Sequence, residues 1–373
     1  MDDKGRIMAF LVTVLSVWTL MHVYVLSRLW NLPAIPSPAW RTGLVLAAFA
    51  GWVGFPLAMW LSRAVGRAAA PLELAGATWI GVLFLLLVCL IAADLVTGFG
   101  WLAPAWWRQA RTAAVVGAGV LSLLALVQGL GAPEVRDHVV GVTGLRPEHD
   151  GLRIVQLSDL HLGPFLKSRW LERRVAEVEA LRPDLLVVTG DLVDQDTTLA
   201  EPLVPSLRRL QARLGVWGVT GNHEYYAGLD RSLRAFDAAG IRLLRDASAE
   251  IAPGLVLAGV DDLSARRQFG VDGRPVDRAL VGRPPGTTIY LSHSPWEVER
   301  AADLGVDLML SGHTHAGQIW PFIYLVRVMY PYVAGRFDVN GMTLIVSRGT
   351  GFWGPPMRLF RRAEITAITL RAR

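Results

Sequence analysis

The sequence predicts an α/β domain preceded by four membrane-spanning helices, and three observations carry that expectation. Charged residues crowd into the second part of the chain, charge-free apolar stretches fill the first, and short β-rich runs alternating with amphipathic stretches follow. Of 373 residues, 52% are hydrophobic and 18% charged, a balance that excludes disorder, collagen and a small disulfide scaffold. Residues 1–130 hold 12 of the 69 charged side chains, eight basic and four acidic, and the remainder holds 29 basic and 28 acidic. The basic excess behind a pI of about 9.7 thus lies between apolar segments. A protein that tracks phosphate backbones carries its excess on the functional domain, so no nucleic-acid partner is expected. Cys89 is the only cysteine, which excludes disulfide frameworks and thiolate metal sites.

A hydrocarbon core of about 30 Å needs roughly 20 apolar residues to cross it. Residues 7–26, 42–61, 75–93 and 112–130 meet that requirement without a charge, so each can close its backbone hydrogen bonds as a helix in lipid. The first stretch is long for a signal-peptide core and three more follow, so it reads as an anchor. Trp30, Trp40, Trp60, Trp101, Trp106 and Trp107 fall near the expected helix ends, where indole prefers the interface. Asp94, at the end of the third stretch, is expected to reach the headgroups in a structural role, and His22 and Cys89 read as packing residues. Four spans put both termini on one side of the cell membrane. Lys4, Arg6, Arg63, Arg67 and Arg136 against Arg28, Arg41, Arg108 and Arg111 lean by five to four towards a cytoplasmic second half.

Residues 131–150 read as a linker to a domain over 151–373. Its apolar runs are LRIVQL (152–157), DLLVVTG (184–190), GVWGVTG (215–221), GLVLAGV (254–260), TTIYLSH (287–293) and VDLMLSG (306–312), with closing strands at 341–347 and 363–370. Residues 170–181, 199–214 and 229–239 read as amphipathic helices between them. In open α/β sheets ligands bind beyond the carboxyl ends of strands, and the polar residues there are SDLH, GD, GNHE, SH and SGHTH. They deliver Asp159 and His161, Asp191, Asn222 and His223, His293, and His313 and His315. Residues i and i+2 of an extended segment project to one side, so Asp-x-His and His-x-His each offer two ligands to one cavity. Imidazoles, carboxylates and an amide without thiolate suit borderline or hard divalent cations.

The ordered blocks Asp-x-His, Gly-Asp, Gly-Asn-His-Glu, His and Gly-His-x-His resemble those of calcineurin-like metallophosphoesterases, over roughly 150–373. The tail SRGTGFWGPPMRLFRRAEITAITL is similar to a membrane-anchored bacterial subgroup, and Ala316 departs from the glycine frequent in GHTHAGQ. The resemblance implies a calcineurin-like β-sandwich flanked by helices and two divalent ions such as Mn, Fe or Zn. It implies that Asp159, His161, Asp191 and His315 hold one ion and Asp191, Asn222, His293 and His313 the other, with Asp191 bridging. Metal-activated hydroxide would attack phosphorus in line while His223 faces the substrate. Asp194 and Glu224 read as supporting or capping groups.

Residues 319–333, IWPFIYLVRVMYPYV, carry one charge, Arg327, and are too short and proline-broken to span. They read either as a buried connection or as an interfacial loop. The expected function is a membrane-anchored phosphodiesterase or pyrophosphatase acting on a lipid-linked or membrane-adjacent phosphoester. The alternatives are a soluble-nucleotide or nucleic-acid phosphodiesterase, and an inactive membrane sensor or scaffold.

Overall fold

The computed structural model describes residues 3–373 apart from 164, 167, 195, 196, 198–200 and 272. The apolar stretches become helices that continue into their polar flanks: α1 (Asp3–Leu29), α2 (Pro38–Val65), α3 (Ala70–Val96) and α4 (Trp107–Leu130). All four contain segments long and apolar enough to cross a membrane. Proline opens α2 and lies in the first turn of α3, where a missing N–H removes no helical hydrogen bond. These helices and residues 354–359 form one unit. Inside it, Trp79 Nε1 donates to His22 Nε2 at 2.9 Å, and His22 Nδ1 lies 2.8 Å from the Trp18 carbonyl. His22 Nε2 therefore ties α1 to α3, while Nδ1 fixes the ring to the preceding turn of its own helix.

Asp94 does not reach outwards as expected. It is fully buried, with Arg28 Nε and Arg111 Nε each 2.6 Å from its carboxylate and Tyr24 donating to it at 2.7 Å. An acid among apolar helices persists only when its charge is matched, and α1 and α4 supply the two guanidinium groups. Removing one member of such a cluster strands the others, at a cost of about 3–5 kcal/mol. Asp94→Ala is therefore expected to lower the thermal unfolding midpoint of the detergent-solubilised protein by several degrees. An unchanged midpoint would show that Asp94 does not tie these helices.

The second unit, residues 131–353 and 360–373, alternates strand and helix. It begins with β1 (Glu134–Val142), β2 (Arg153–Leu157), α5 (Ser168–Leu181), β3 (Leu185–Thr189), α6 (Val204–Leu207), β4 (Val216–Val219), α7 (Asn222–Tyr226), α8 (Leu229–Ala239) and β5 (Arg242–Leu243). There follow β6 (Ala247–Ala252), β7 (Leu255–Gly259), α9 (Leu263–Gln268), α10 (Pro275–Leu280), β8 (Thr287–Leu291), α11 (Val298–Asp303) and β9 (Leu308–Ser311). The chain closes with α12 (Ile323–Met329), β10 (Gly335–Val339), β11 (Met342–Val346) and β12 (Glu364–Ala372).

Two six-stranded sheets result, in the orders β1-β12-β2-β3-β4-β5 and β10-β11-β9-β8-β7-β6. Strands β2, β3 and β4 run parallel, as do β7, β8 and β9. Ile154, Val187, Leu257, Ile289, Leu310 and Ile368 fill one core drawn from both sheets. Val155 and Val188 pack with Val175 of α5 and Phe236 of α8, while Tyr290 and Met309 pack with Leu280 of α10 and Ala301 of α11. Each central strand thus buries both faces, which is why these runs read as continuously apolar. The result is the expected α/β sandwich flanked by helices.

Three segments differ from expectation. The linker over 131–150 contains β1, parallel to β12 from Glu134↔Glu364 to Val142↔Ala372. Its polar, exposed positions at the sheet edge hid it. The helix expected over 199–214 is reduced, among described residues, to a 3-10 turn at Glu201–Leu203 and α6, and positions 199 and 200 lie outside the described residues. Residues 354–359 group with the helices, where the Arg358 amide donates to the Ala125 carbonyl at 2.8 Å.

Candidate metal centre

The carboxyl ends of β2, β3 and β4 in one sheet and of β8 and β9 in the other deliver polar residues to one place. Ligand atoms of Asp159, His161 and His315 lie within 4.8 Å of one another, and the same holds for Asp191, His293 and His313. The two groups meet through Asp191, whose Oδ2 is 3.2 Å from His293 Nε2 and 3.6 Å from His161 Nε2. Asn222 Oδ1 joins the second group, 2.9 Å from His313 Nδ1 and 3.2 Å from His293 Nε2. His315 Nε2 is 3.0 Å from His161 Nε2 and 3.3 Å from Asp159 Oδ1. All seven side chains singled out as ligands in the sequence are thus brought together.

Their lone pairs point at one another, and that arrangement fits cations. His293 Nδ1 lies 2.7 Å from the Thr189 carbonyl, so it carries hydrogen and leaves Nε2 facing the oxygens of Asn222 and Asp191. Burial alone would lower the His293 pKa, yet the Asp191 carboxylate raises it well above the ordinary imidazole value. Burial likewise works against charge on Asp191, but His293 and His223 hold its carboxyl well below the usual range. The donor set of buried nitrogen and oxygen atoms suits divalent ions. On His313, Nε2 lies 2.7 Å from the Tyr330 hydroxyl and Nδ1 2.9 Å from Asn222 Oδ1, so the tyrosine fixes the ring with Nδ1 towards the other donors.

His223 stands beside this cavity. Its Nδ1 donates to the Asp194 carbonyl at 3.1 Å and lies 3.1 Å from Asp194 Oδ1, so Nε2 is the nitrogen left for chemistry. Burial opposes its charge, but Asp191 and the Asp194 carboxylate raise its pKa to about 9. Without metal, the protonated ring stabilises the fold fully below pH 6.5, and that contribution is lost as pH rises through about 9. Glu224 accepts from the amides of Gly221 at 2.6 Å, Leu192 at 2.9 Å, Asp191 at 3.0 Å and Val193 at 3.2 Å. It clamps the turn after β3 to the start of α7, and burial with the nearby Asp191 charge pushes its pKa up to about 7.

The backbone is unusual where the ligands are. Asp159, His161, Asp191, His313 and His315 have φ between 45° and 70°, as does Ala316 at 53°. Side chains rarely adopt that region, and its clustering here follows from aiming alternate residues into one cavity. Ala316, where glycine was the expected residue, therefore holds a conformation that glycine adopts without strain. Glycine is needed for space at 312, because a Cβ there would overlap Ser158 Oγ and the Asp159 carboxylate. Gly312→Ala is expected to displace Asp159, lower stability by about 2 kcal/mol and weaken metal binding. Denaturant unfolding and metal titration check both effects, and wild-type values in both would contradict the geometry.

Sequence reasoning placed Asp194 as a support and overlooked Tyr330. Asp194 follows Asp191 by three residues, a spacing that turns read as a cap share. Tyr330 lies in an apolar run with no periodicity to mark it, and only the fold brings its hydroxyl to His313. The family model of calcineurin-like phosphoesterases matches residues 152–317. An uncharacterized metallophosphoesterase of Aquifex aeolicus is 37% identical over 232 residues, covering 61% of this chain and 88% of that protein.

The chain belongs to the calcineurin-like phosphoesterase family.

Two vertebrate proteins are called "transmembrane protein with metallophosphoesterase domain". The one from Danio rerio is 37% identical over 277 residues, covering 71% of this chain and 63% of that protein. The one from Bos taurus is 37% identical over 274 residues, covering 69% and 62%. This calcineurin-like phosphoesterase thus spans slightly less than two thirds of either vertebrate relative. The four membrane-length helices among the described residues agree with the transmembrane designation of those relatives.

Proposed function

We propose that the protein hydrolyses a phosphodiester or pyrophosphate bond in a lipid-linked or membrane-adjacent substrate. The observation that carries this reading is the convergence of acceptor atoms from five strand ends, in a chain that also carries four membrane-length helices. Asp159, His161, Asp191 and His315 would hold one divalent ion and Asp191, Asn222, His293 and His313 a second, its identity set by supply. Ions so held supply charge neutralisation at a phosphoryl group and the acidification of water. Asp191 is placed to touch both ligand groups, and Tyr330 orients His313. His223, its Nδ1 fixed by Asp194, presents Nε2 to donate a proton to the leaving oxygen. The domain arrangement that accompanies this reading is a membrane anchor over 1–130 followed by a catalytic domain, leaning to the cytoplasmic side.

The test is the ratio of kcat/KM for a lipid pyrophosphate to that for its water-soluble head group, both measured on the full chain in detergent micelles. The lipid substrate is expected to win by about tenfold or more. Equal values would make the helices an address alone. A second reading, hydrolysis of a soluble nucleotide ester, is favoured by the aromatic rim around His223. Tyr226 and Trp353 have ring centroids 5.4 and 5.9 Å from it, and Phe269 stands 6.2 Å from Tyr226. Such a rim can stack a planar base. Turnover of cyclic nucleotides above that of lipid pyrophosphates would decide for it.

A further inference from the structure

The turn and helix that follow the last histidine motif are apolar on the outside. Trp320, Phe322, Tyr324, Leu325, Val328 and Met329 are all exposed, Val328 to 83% and Met329 to 66%. Ile323 of α12 is buried and Val326 half-buried, while its other residues are turned outwards. A soluble protein rarely displays so many large apolar side chains within ten residues. The composition is that of a lipid interface: exposed aromatics beside exposed aliphatics, and no acid from 319 to 337. Arg327 is exposed on the same helix with its guanidinium 5.8 Å from the Tyr324 ring centre. The Trp320 ring lies 5.9 Å from that of Phe360, which is exposed and followed by Arg361 and Arg362. Basic side chains around an apolar surface complement anionic headgroups.

We infer that α12 with Trp320 is an interfacial helix that lies in the headgroup region of the bilayer its own chain crosses, with anionic lipid as its partner. The inference rests on reading α1–α4 as membrane spans. Only residues 131–133 separate the end of α4 from the start of β1. The helix also ends beside the metal centre, since Tyr330, the residue after it, meets His313 through its hydroxyl. An anchored α12 would hold that tyrosine in place and bring a substrate head group to the cavity without its leaving the lipid surface.

The test uses the full chain in nanodiscs containing phosphatidylglycerol, with Cys89→Ala removing the native thiol. An environment-sensitive fluorophore is attached in turn to Val328→Cys, to Leu123→Cys on α4 and to Val281→Cys, an exposed position outside that helix. Lipids with a shallow doxyl label are expected to quench position 328 by about twofold or more, as an interfacial depth of 5–10 Å requires, and to leave 281 unaffected. Position 123 is expected to be quenched by deep labels. Quenching at 123 without quenching at 328 overturns the inference and leaves the spans standing. Loss of quenching at both overturns the spans and the inference together. A protected fluorophore at 328 that doxyl lipids do not quench, and that becomes exposed at one copy per disc, identifies a second copy of this chain as the occupant and also overturns it.

Discussion

Asp191→Asn is expected to lower kcat for bis(p-nitrophenyl) phosphate by about a thousandfold or more, a loss of roughly 4 kcal/mol in transition-state stabilisation. The substitution is close to isosteric. Oδ1, which accepts the His223 amide at 2.9 Å, survives in the amide side chain, so the turn after β3 keeps its shape. What disappears is the negative charge shared by both ligand groups, the charge that raises the His293 pKa and supports protonation of His223. The structural prediction is therefore specific: secondary structure unchanged, bound metal reduced, activity lost. Metal analysis of the purified variant with steady-state kinetics checks it. Near wild-type turnover would remove Asp191 from the mechanism and with it the proposed site.

His223→Gln is expected to cost about a hundredfold to a thousandfold in kcat, the range for loss of a positioned proton donor. The more discriminating experiment is the pH profile. Donation to the leaving oxygen needs the protonated ring, so the rate falls as pH rises through the His223 pKa. Asp191 and Asp194 raise that pKa to about 9 against the effect of burial, and bound cations draw it back down. Asp194→Asn removes one of the two supporting charges while leaving the Asp194 carbonyl as the acceptor for Nδ1. The alkaline limb should then move to lower pH in Asp194→Asn and vanish in His223→Gln. A limb that stays in place in both variants would assign the titration to another group and reduce His223 to a substrate contact.

Much of this was legible in the sequence because two simple periods governed it. Charge-free stretches of about 20 residues read as helices of membrane length. Strands buried on both faces had to be continuously apolar, and β2, β3, β4, β8 and β9 each ended on the residues that the fold gathers. What escaped depended on long-range pairing. β1 is a polar edge strand that exists because β12, more than 200 residues later, lies beside it. Asp94 looked able to leave the bundle because nothing local revealed that Arg28 and Arg111 would surround it. Tyr330 lacked any signal of its own, since its partner His313 is set by the turn after β9 and its position by α12. The outward face of α12 was similarly hidden: an apolar run of 15 residues has the same composition whether it is covered or bare.

The left-handed residues at the rim have a mechanical corollary. Five such torsions, each uphill by about 1–2 kcal/mol, form a loaded spring that the four amides gripped by Glu224 hold at one end and that the proposed cations would hold at the other. Chelation would release the catch at one end only. The first motion after metal removal would then be a local uncoiling of the rim, visible as faster amide exchange at residues 158–162, 190–193 and 312–317, while the described strands β1–β12 remain protected.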